Sequence, residues 1–188
     1  IGRALADNIG DDGAQLDPPI KTLFVYNSDI ANCTPNSGNV RKGMMRDDLF
    51  ITVHETFWTD SCMYADIILP ADTALERTDC HWAYGSWFLG INKPVIEPLG
   101  ESINNTELFR MLADKMGYVD STDNAFTQTD EEIIKDILLE AENEDGERFN
   151  CLTEGIDYDD VVKNGWARAS TGSKRRDFLK NGWPTPSG

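Results

Sequence analysis

Residues 49–70 constrain the fold more than any other part of the chain, because they contain two apolar runs separated by a polar loop. The first run covers residues 49–53 and is followed by His54 and Glu55, and the second covers residues 67–69. Runs of this length and composition are typical of strands. In a parallel sheet, residues just past the carboxyl ends of the strands line the ligand crevice. We therefore expect a binding site at His54 and Glu55 and at residues 70–72, which follow the second run.

An earlier strand is predicted at residues 22–26, where an apolar and aromatic run stops at a polar triplet. The triplet consists of Asn27, Ser28 and Asp29. Between this strand and the next, Val40, Met44 and Met45 are spaced to share one face of a helix. The order strand, helix, strand, short helix, strand predicts a parallel sheet with its three polar strand ends at one edge.

The short helix is expected after the second strand, where Thr59, Asp60 and Ser61 precede residues 62–64. Side chains of these types cap the first turn of a helix by accepting hydrogen bonds from backbone amides. A first turn with free amides also suits a phosphate group. We therefore expect Thr59 and Asp60 to belong to the same binding site as the strand ends.

Helices dominate the predictions for the second half of the chain. Residues 105–116 contain an apolar stripe, with Asn105 as the expected N-cap and Gly117 as the expected stop. A capping box at residues 129–132 begins a second amphipathic helix, expected over residues 130–141. Both helices are long enough to pack against a sheet.

The sequence predicts an N-terminal boundary segment at residues 1–16, an α/β domain at residues 17–120, and a helical and irregular extension at residues 121–188. The extension contains one more short helix, expected over residues 157–165. Residues 82–88 are expected to form a loop and a short strand, because a glycine interrupts their aromatic run. The predicted fold class is α/β, with three layers in which helices flank a mainly parallel, Rossmann-like sheet.

The composition limits the classes of function. With 33 acidic and 17 basic residues among 188, the chain has a net charge of −16, which disfavours general binding to nucleic acids. No apolar run approaches the ~20 residues of a membrane-spanning helix, so no direct membrane contact is expected. The glycine motifs of nicotinamide dinucleotide sites (G-x-G-x-x-G) and of P-loops are absent from the sequence. An anionic ligand would have to be held by local groups.

Metal ligation is only weakly indicated. The four cysteines are widely spaced and form no C-x-x-C motif. Cys80 and His81 have no second cysteine or histidine close by in the sequence. A near match to a calcium loop at residues 120–131 has Ala125 where the turn glycine belongs. No metal ligand is assigned within the chain.

Each candidate residue also has an ordinary structural interpretation. Polar residues at strand ends also occur as solvated loop residues, and His54 is equally suited to a hydrogen-bonded position in the core. Aromatic residues such as those within positions 82–88 are more often found in cores or interfaces than in cofactor sites. The functional interpretation depends on convergence, since three polar strand ends are expected at one edge.

The same residues resemble a known family, the bis-molybdopterin guanine dinucleotide oxidoreductases of the dimethyl sulfoxide reductase type. The segments that resemble it are LFVYNSD-A, VRKGMMRDDLFITVHETFWTDSCMYADIILPADTALERTD, YG and PVIEPLGES-NNTELFRMLADKMG. They are similar to one continuous region of the large subunit, over residues 16–118. Residues 182–188 resemble the junction before the last domain of that subunit.

The resemblance implies that the chain is an internal part, the third domain, of such a large subunit and holds one guanine dinucleotide arm of the cofactor. The residues expected by position to contact the dinucleotide are Asn27, Ser28, Asp29, His54, Glu55, Thr59, Asp60 and Arg77. A carboxylate such as Glu55 or Asp29 can accept hydrogen bonds from guanine or ribose, and Thr59 with local amides can meet pyrophosphate. The resemblance places the molybdenum ligand in an earlier domain, so no catalytic residue is assigned here.

The same resemblance implies a bacterial, cytoplasmic, molybdenum-dependent oxidoreductase that acts in electron transfer. The expected partners are the cofactor, the other domains of the subunit and an electron-transfer subunit. An iron–sulfur cluster would belong to an earlier domain, and the isolated chain is expected to be inactive.

Two positions depart from the pattern of the family. Asp29 and Ile30 stand where many members have Asn-Pro, and His54 and Glu55 stand where some have Ser-Asp or Gln-Asp. The alternative from another functional class is a non-catalytic interaction module that keeps the α/β fold and uses residues 82–88 as its contact surface.

Overall fold

The computed structural model describes residues 1–83, 86–118, 126–138 and 156–168. The chain divides into two compact units. The first contains residues 1–73 and 98–109, and the second contains residues 74–97 and the described residues from position 110 onward.

The first unit is built on a three-stranded parallel sheet in the order β1-β2-β3. Its strands are β1 (Thr22–Tyr26), β2 (Phe50–Glu55) and β3 (Ile67–Pro70). Tyr26 pairs with His54, and Glu55 pairs with Pro70, so the three strands end at the same edge. The predicted α/β fold with a parallel sheet is confirmed. β2 continues two residues past the apolar run, because ladder pairing uses backbone groups and does not require apolar side chains.

The described part of the first unit also contains α1 (Gly2–Asp7), α2 (Ile30–Cys33), α3 (Ser37–Met44) and a short 3-10 helix (Asp60–Tyr64). Val40 and Met44 of α3 are buried as predicted, whereas Met45 follows the helix and is exposed. α1 packs so closely on α3 that a Cβ atom at Gly43 would lie 2.5 Å from the Cβ of Leu5. Only glycine fits at this crossing.

The core of the first unit forms against one face of the sheet. Its buried residues are Leu5, Val25, Ala31, Val40, Met44, Leu49, Ile51, Val53 and Cys62. Ile51 and Val53 alternate along β2, as expected for a strand with one face in a core. In β3, by contrast, Ile67 and Ile68 are exposed. An apolar strand would be expected to be buried, but the apolar residues of β3 do not reach this core.

Helix α4 (Asn105–Met116) begins in the first unit, where it packs on the other face of the sheet. The ring centroid of Phe109 lies 5.5 Å from that of Phe24 and 5.3 Å from that of Tyr26. Because Phe24 and Tyr26 alternate with the core residue Val25 along β1, this contact covers the face opposite the core. The predicted packing of this helix on the sheet is confirmed.

The N-cap of α4 is Asn104 and not the predicted Asn105. The Oδ1 atom of Asn104 accepts a hydrogen bond from the backbone amide of Glu107 at 2.7 Å. The two neighbouring asparagines cannot be distinguished from sequence alone, since either could end the preceding loop. Gly117, with φ of +76°, ends the helix as predicted.

The second unit contains a three-stranded antiparallel sheet that the sequence analysis did not predict. Its strands, in the order β4-β5-β6, are β4 (Asp79–Trp82), β5 (Phe88–Asn92) and β6 (Trp166–Arg168). β4 contains an aspartate and a histidine, so its sequence lacks a strand pattern, and β6 lies far along the chain. Tertiary pairing with β5 makes both of them strands.

Helices α5 (Asp130–Leu138) and α6 (Tyr158–Asn164) belong to the second unit. The predicted capping box is confirmed, because the amide of Thr129 donates to the Glu132 carboxylate at 2.8 Å and the Glu132 amide donates to the Thr129 hydroxyl at 3.2 Å. The core of this unit consists of Leu89, Ile91, Ile134, Leu138, Tyr158 and Val161. Predicted residues 139–141 of α5 lie outside the described ranges.

Within the described ranges, no helix combines the length and the apolar character needed to cross a bilayer.

Candidate functional site

The carboxyl edge of the parallel sheet brings together the loop after β1 and the loop after β2. Asn27 follows β1 directly and has φ of +50°, a left-handed conformation that asparagine tolerates better than most residues. This turn leads through Ser28 and Asp29 into α2. On the other loop, Glu55 is the last residue of β2 and Thr59 precedes the 3-10 helix. Six of the eight predicted site residues, apart from His54 and Arg77, thus lie on these two loops.

Asp29 and Ser61 join the two loops directly. The Oδ1 atom of Asp29 accepts hydrogen bonds from the Ser61 hydroxyl at 2.6 Å and from the Ser61 amide at 3.0 Å. The Ser61 hydroxyl oxygen also accepts from the amide of Ala31 at 3.2 Å. Ser61 is fully buried. A strand-end carboxylate predicted to face a ligand is therefore bonded inside the protein.

Asn32 extends this network to Asp60 and Arg41. The Nδ2 atom of Asn32 donates to Asp29 at 2.8 Å and to Asp60 at 2.9 Å. Its Oδ1 atom accepts from Nη2 of Arg41 at 2.7 Å, while Nε of Arg41 donates to the carbonyl of Ala31 at 3.0 Å. The guanidinium lies 3.8 Å from the Asp60 carboxylate, so it partly offsets the charge of the two aspartates.

Burial acts to raise the pKa of the Asp29 carboxyl, but hydrogen bonds from Ser61 and Asn32 outweigh it and lower that pKa below its ordinary value. At neutral pH Asp29 is therefore an ionised acceptor. An ionised carboxylate matches the donors around it, since the hydroxyl and the amide groups all point N–H or O–H hydrogens at its oxygens.

His54 is fully buried and has a partner on each ring nitrogen. Its Nδ1 atom lies 3.0 Å from Oδ1 of Asn105, and its Nε2 atom lies 3.2 Å from the carbonyl oxygen of Ile103. Which ring nitrogen donates depends on the tautomer of the ring. The structure thus favours the core alternative for His54, which ties β2 to the start of α4.

Glu55 has one carboxylate oxygen free to interact with a ligand. Its Oε1 atom accepts from the amide of Thr56 at 2.9 Å, and Oε2 has no partner among the described residues. The Thr56 hydroxyl in turn donates to the carbonyl of Asp72 at 3.2 Å, which holds the start of the loop. A half-buried, oriented carboxylate of this kind suits a ligand with N–H or O–H donors, such as guanine or ribose.

The predicted capping by the side chains of residues 59–61 was wrong. The 3-10 helix has five residues, and Thr59 makes no side-chain capping hydrogen bond. The Thr59 hydroxyl instead lies 3.6 Å from Sγ of Cys62. Ser61 and Asp60 are drawn to Asp29 and Asn32, because those polar partners lie on the neighbouring loop, which the local sequence does not reveal.

Ser28 makes no hydrogen bond with the described residues and lines an apolar cavity of about 370 Å³. Leu23 and Tyr26 of β1, Leu5 of α1 and Ile30 also contribute to its wall. The Ser28 hydroxyl is therefore available to a ligand that reaches the end of β1.

The basic side chains of the first unit are mostly paired elsewhere. Lys21 and Arg46 contact Asp48 at 2.7 Å and 2.9 Å. Hydrogen bonds from Arg46, and to a smaller extent from Lys21, lower the pKa of the Asp48 carboxyl. Lys42 contacts Asp7 at 2.7 Å. Lys21 and Asp48 precede β1 and β2, so the ion pairs of Asp48 lie at the opposite edge of the sheet.

Arg77 lies in the second unit, where its Nε atom donates to Asp79 at 3.0 Å. The network at the sheet edge lies wholly in the first unit. The predicted contact of Arg77 with a ligand therefore stays a prediction.

No group of three or more His, Cys, Asp or Glu side chains in the described residues is arranged to hold a metal ion. Cys80 lies in β4, and burial, together with the charge of Asp79, raises the pKa of its thiol. Cys151 and residues 119–125, which include the first half of the possible calcium loop, lie outside the described ranges.

Among the aromatic residues of positions 82–88, Trp82 donates from Nε1 to the carbonyl of Ser86 at 3.0 Å. The ring of Phe88 meets that of Trp166 edge to face, with centroids 5.3 Å apart. Both rings are about half exposed, at 49% and 56%. Tyr84 lies outside the described residues, so the contact surface predicted for an interaction module is described in part.

Ser61, Asn32 and Arg41 are members of the network that were not predicted as site residues, since Ser61 was expected only to cap the short helix. Asn32 is three residues after Asp29, a spacing that brings side chains together at the start of a helix. Arg41 is one of two adjacent basic residues on α3, and its position relative to α2 depends on how the two helices pack. The spacing could have indicated Asn32, whereas Arg41 had no local signal.

The family model described as "Molybdopterin oxidoreductase" matches residues 11–115. Probable oxidoreductase YoaE of Bacillus subtilis (strain 168) is 39% identical over 174 residues, which are 93% of this chain and 24% of that protein. Acetylene hydratase of Syntrophotalea acetylenica is 34% identical over 101 residues, which are 53% of this chain and 14% of that protein.

The solved structure of acetylene hydratase from Pelobacter acetylenicus has a similar fold, with a TM-score of 0.62 at 23% identity. The match covers 90% of this chain and 20% of that chain. The chain thus spans about a quarter or less of the length of these relatives. Since the family model matches more than half of the residues, the chain belongs to the molybdopterin oxidoreductase family.

Proposed function

We propose that this chain is part of a longer molybdenum-dependent oxidoreductase subunit and binds one molybdopterin guanine dinucleotide arm at the carboxyl edge of its parallel sheet. The main observation is the convergence of polar groups from two strand ends on that edge. Family membership supplies the class of cofactor, and the free oxygen of Glu55 supplies a matching acceptor.

The chemistry of the available groups fits a guanine dinucleotide. Glu55 would accept hydrogen bonds from guanine or ribose, and the hydroxyls of Ser28 and Thr59 would meet ribose or pyrophosphate. Asn27 is exposed at the turn after β1 and has both a donor and an acceptor to offer. Asp29, Asp60 and His54 would act by holding these groups in place.

The chain is proposed to bind and orient the cofactor without taking part in bond making. The bound cofactor would supply the molybdenum centre and its redox chemistry. Its metal ligand, and any iron–sulfur cluster, would come from other domains of the complete protein. We further propose a cytoplasmic location, an electron-transfer subunit as partner and no activity of the isolated chain.

The decisive experiment measures molybdenum and guanine per folded subunit in the complete protein. We expect the Glu55→Ala/Thr59→Ala variant to lower both, because a charge-assisted hydrogen bond of about 1.5–3 kcal/mol weakens binding roughly ten- to a hundredfold when lost. Glu101→Ala, at an exposed carboxylate of the same unit, is the matched control. Full cofactor content in the double variant would refute the proposed site.

The isolated 188-residue chain gives a second test. We expect no turnover of a sulfoxide, nitrate or formate with a redox dye, since one cofactor-binding segment cannot cycle electrons alone. It should also bind guanosine diphosphate weakly, because half of a pocket buries too little of the ligand. Turnover by the chain alone would contradict the proposal.

The alternative function, a non-catalytic interaction module, is favoured by the exposed pair Phe88 and Trp166. Aromatic residues of this kind are enriched where proteins meet. A complete protein that folds without molybdenum and guanine, and whose partner binding is lost in Phe88→Ala, would favour this alternative.

A further inference from the structure

We propose that Ser61 and Asp29 are positioning residues, whose mutual hydrogen bonds lock the loop after β1 to the 3-10 helix after β2 and set the spacing between the two halves of the binding edge. The inference rests on the proposed function, because that function makes the spacing matter. It assigns both residues a role that requires no contact with the cofactor.

Both side chains are hydrogen-bonded to other residues of the first unit, and Asp29 is half-buried. Oδ1 of Asp29 accepts from the amide and the hydroxyl of Ser61, and Oδ2 accepts from Asn32. The Ser61 hydroxyl donates to Asp29 and accepts from the Ala31 amide at 3.2 Å. Ser61 is fully buried, so it has no surface to offer a ligand.

These bonds join segments that are distant in sequence. Asp29 and Ser61 are 32 residues apart, and each lies beyond the end of a different strand. Among the described residues, every hydrogen bond between the two loops involves Asp29, Asn32 or Ser61. Strand pairing fixes the first residue of each loop. The hydrogen bonds of Asp29, Asn32 and Ser61 fix the distance between the central residues of the two loops.

The hydrogen bonds of Asp29 and Asp60 also bear on the repulsion between these carboxylates and an anionic ligand. Two aspartates, Asp29 and Asp60, lie at an edge proposed to hold a pyrophosphate, which their charges would repel. Asp29 directs its oxygens at neutral donors, and Arg41 lies 3.8 Å from Asp60. The donors thereby hold the carboxylate within the network, and the polar side chains of Asn27, Ser28 and Thr59 remain for the ligand.

Apolar contacts keep the fold when the polar ties are removed. Ala31 and Cys62, which flank the cluster, are buried members of the core. Ser61→Ala therefore removes one oxygen atom from a packed site without opening a large cavity. Loss of loop spacing can thus be separated from loss of folding.

The test measures the release rate of the guanine-containing cofactor from the complete protein, at a temperature where every variant is folded. We expect Ser61→Ala and Asp29→Ala each to speed release about tenfold, as the loss of an interior hydrogen bond to a charged group would. The double variant should be no faster than the stronger single one, because both changes break the same tie.

Ser102→Ala is the matched control, since its hydroxyl donates to the carbonyl of Leu99 at 2.8 Å in the same unit but away from the two loops. It should change release less than twofold. Release from Ser61→Ala and Asp29→Ala at the rate of this control would overturn the inference. If Glu55→Ala/Thr59→Ala still lost cofactor in that case, the proposed function would stand.

Amide exchange in the 188-residue chain without cofactor tests the tie itself. We expect the Ser61 amide to exchange about tenfold faster in Asp29→Ala, and the Ala31 amide to exchange faster in Ser61→Ala. Equal exchange in wild type and variants would overturn the inference without reference to any cofactor. Absence of guanine from the wild-type complete protein would instead overturn the proposed function, and the inference with it.

Discussion

One polar network in the second unit, around Glu131, and one in the first unit, around Asp29, are built from different donors. In the second unit, Nζ of Lys93 donates to Glu131 at 3.0 Å and to the hydroxyl of Tyr158, while Lys135 donates to Glu131 at 2.9 Å. Both ammonium groups lie over the Tyr158 ring, at 5.1 Å and 4.9 Å from its centroid. In the first unit, the Asp29 carboxylate is met by neutral hydroxyl and amide groups.

The choice of donors decides what each network can do. Glu131 pairs with Lys93, which follows β5, and with Lys135 in α5, beside the buried Tyr158 of α6. Neutral donors engage both oxygens of Asp29 and fix its position, so the two loops are joined without an ion pair to this carboxylate. The ion pairs of Glu131 therefore contribute to the stability of the second unit. The hydrogen bonds of Asp29 hold together the two loops of the proposed binding site.

The largest expected effects come from the two apolar cores. Ile51→Ala in the first unit and Leu89→Ala in the second should each lower the free energy of unfolding by about 2–5 kcal/mol, because both residues are almost completely buried. Chemical denaturation gives the loss, and amide exchange shows which unit loosens. Ile51→Val should cost only about 0.5–1.5 kcal/mol. Losses below 1 kcal/mol in the alanine variants would contradict the assigned cores.

Gly43→Ala tests the close packing of α1 on α3 in the first unit. A methyl group there would lie 2.5 Å from both the Cβ and the carbonyl carbon of Leu5, so we expect destabilisation by about 1–3 kcal/mol from overpacking. Gly38→Ala is the control, since Gly38 lies in the same helix with nothing within 4 Å of an added Cβ. That change should be neutral or stabilise by up to about 1 kcal/mol. Equal melting temperatures for the two variants would rule out the close crossing of α1 and α3.

The neighbouring asparagines at the start of α4 have separate roles that substitution can distinguish. Asn105→Ala leaves Nδ1 of the buried His54 without its partner and should cost about 1–3 kcal/mol. Asn104→Ala removes the N-cap and should cost about 1 kcal/mol. Helix content by circular dichroism should fall more in Asn104→Ala. The reverse pattern would restore Asn105 as the cap.

The smallest effect is a pH dependence in the second unit. Hydrogen bonds from Lys135 and Lys93 lower the pKa of Glu131 from 4.5 to about 2. The folded state therefore binds this proton less readily, so the stabilisation is complete above about pH 4.5 and is lost as the pH falls towards 2. Because the pair is solvent-exposed, added salt should weaken the effect.

Glu131→Gln should flatten this part of the stability curve, and Glu97→Gln, at an exposed carboxylate of the same unit, should leave it unchanged. Thermal melts between pH 2 and pH 6 give the comparison. A wild-type curve that matches Glu131→Gln throughout this range would show that the ion pairs contribute nothing to stability.

Local patterns were enough to predict the parallel sheet, since the apolar runs at β1 and β2 are long and each is followed by polar residues. The capping box at Thr129 and the glycine stop at Gly117 were also readable, because each depends on residues within one turn of a helix. The same locality explains the misses. β4 and β6 become strands only by pairing with β5, and their own residues show no strand pattern.

The sequence by itself determined the family, the parallel sheet and the two loops on which most of the candidate site residues lie. Only the tertiary structure decided the roles of the polar residues on those loops. Asp29, predicted to face a ligand, is turned inward by Ser61, which is 32 residues away in the sequence. His54 is buried by a loop that reaches it from residues 103–105. A polar side chain bonds to the partner that packing brings within about 3 Å, and that partner is seldom a neighbour in the sequence.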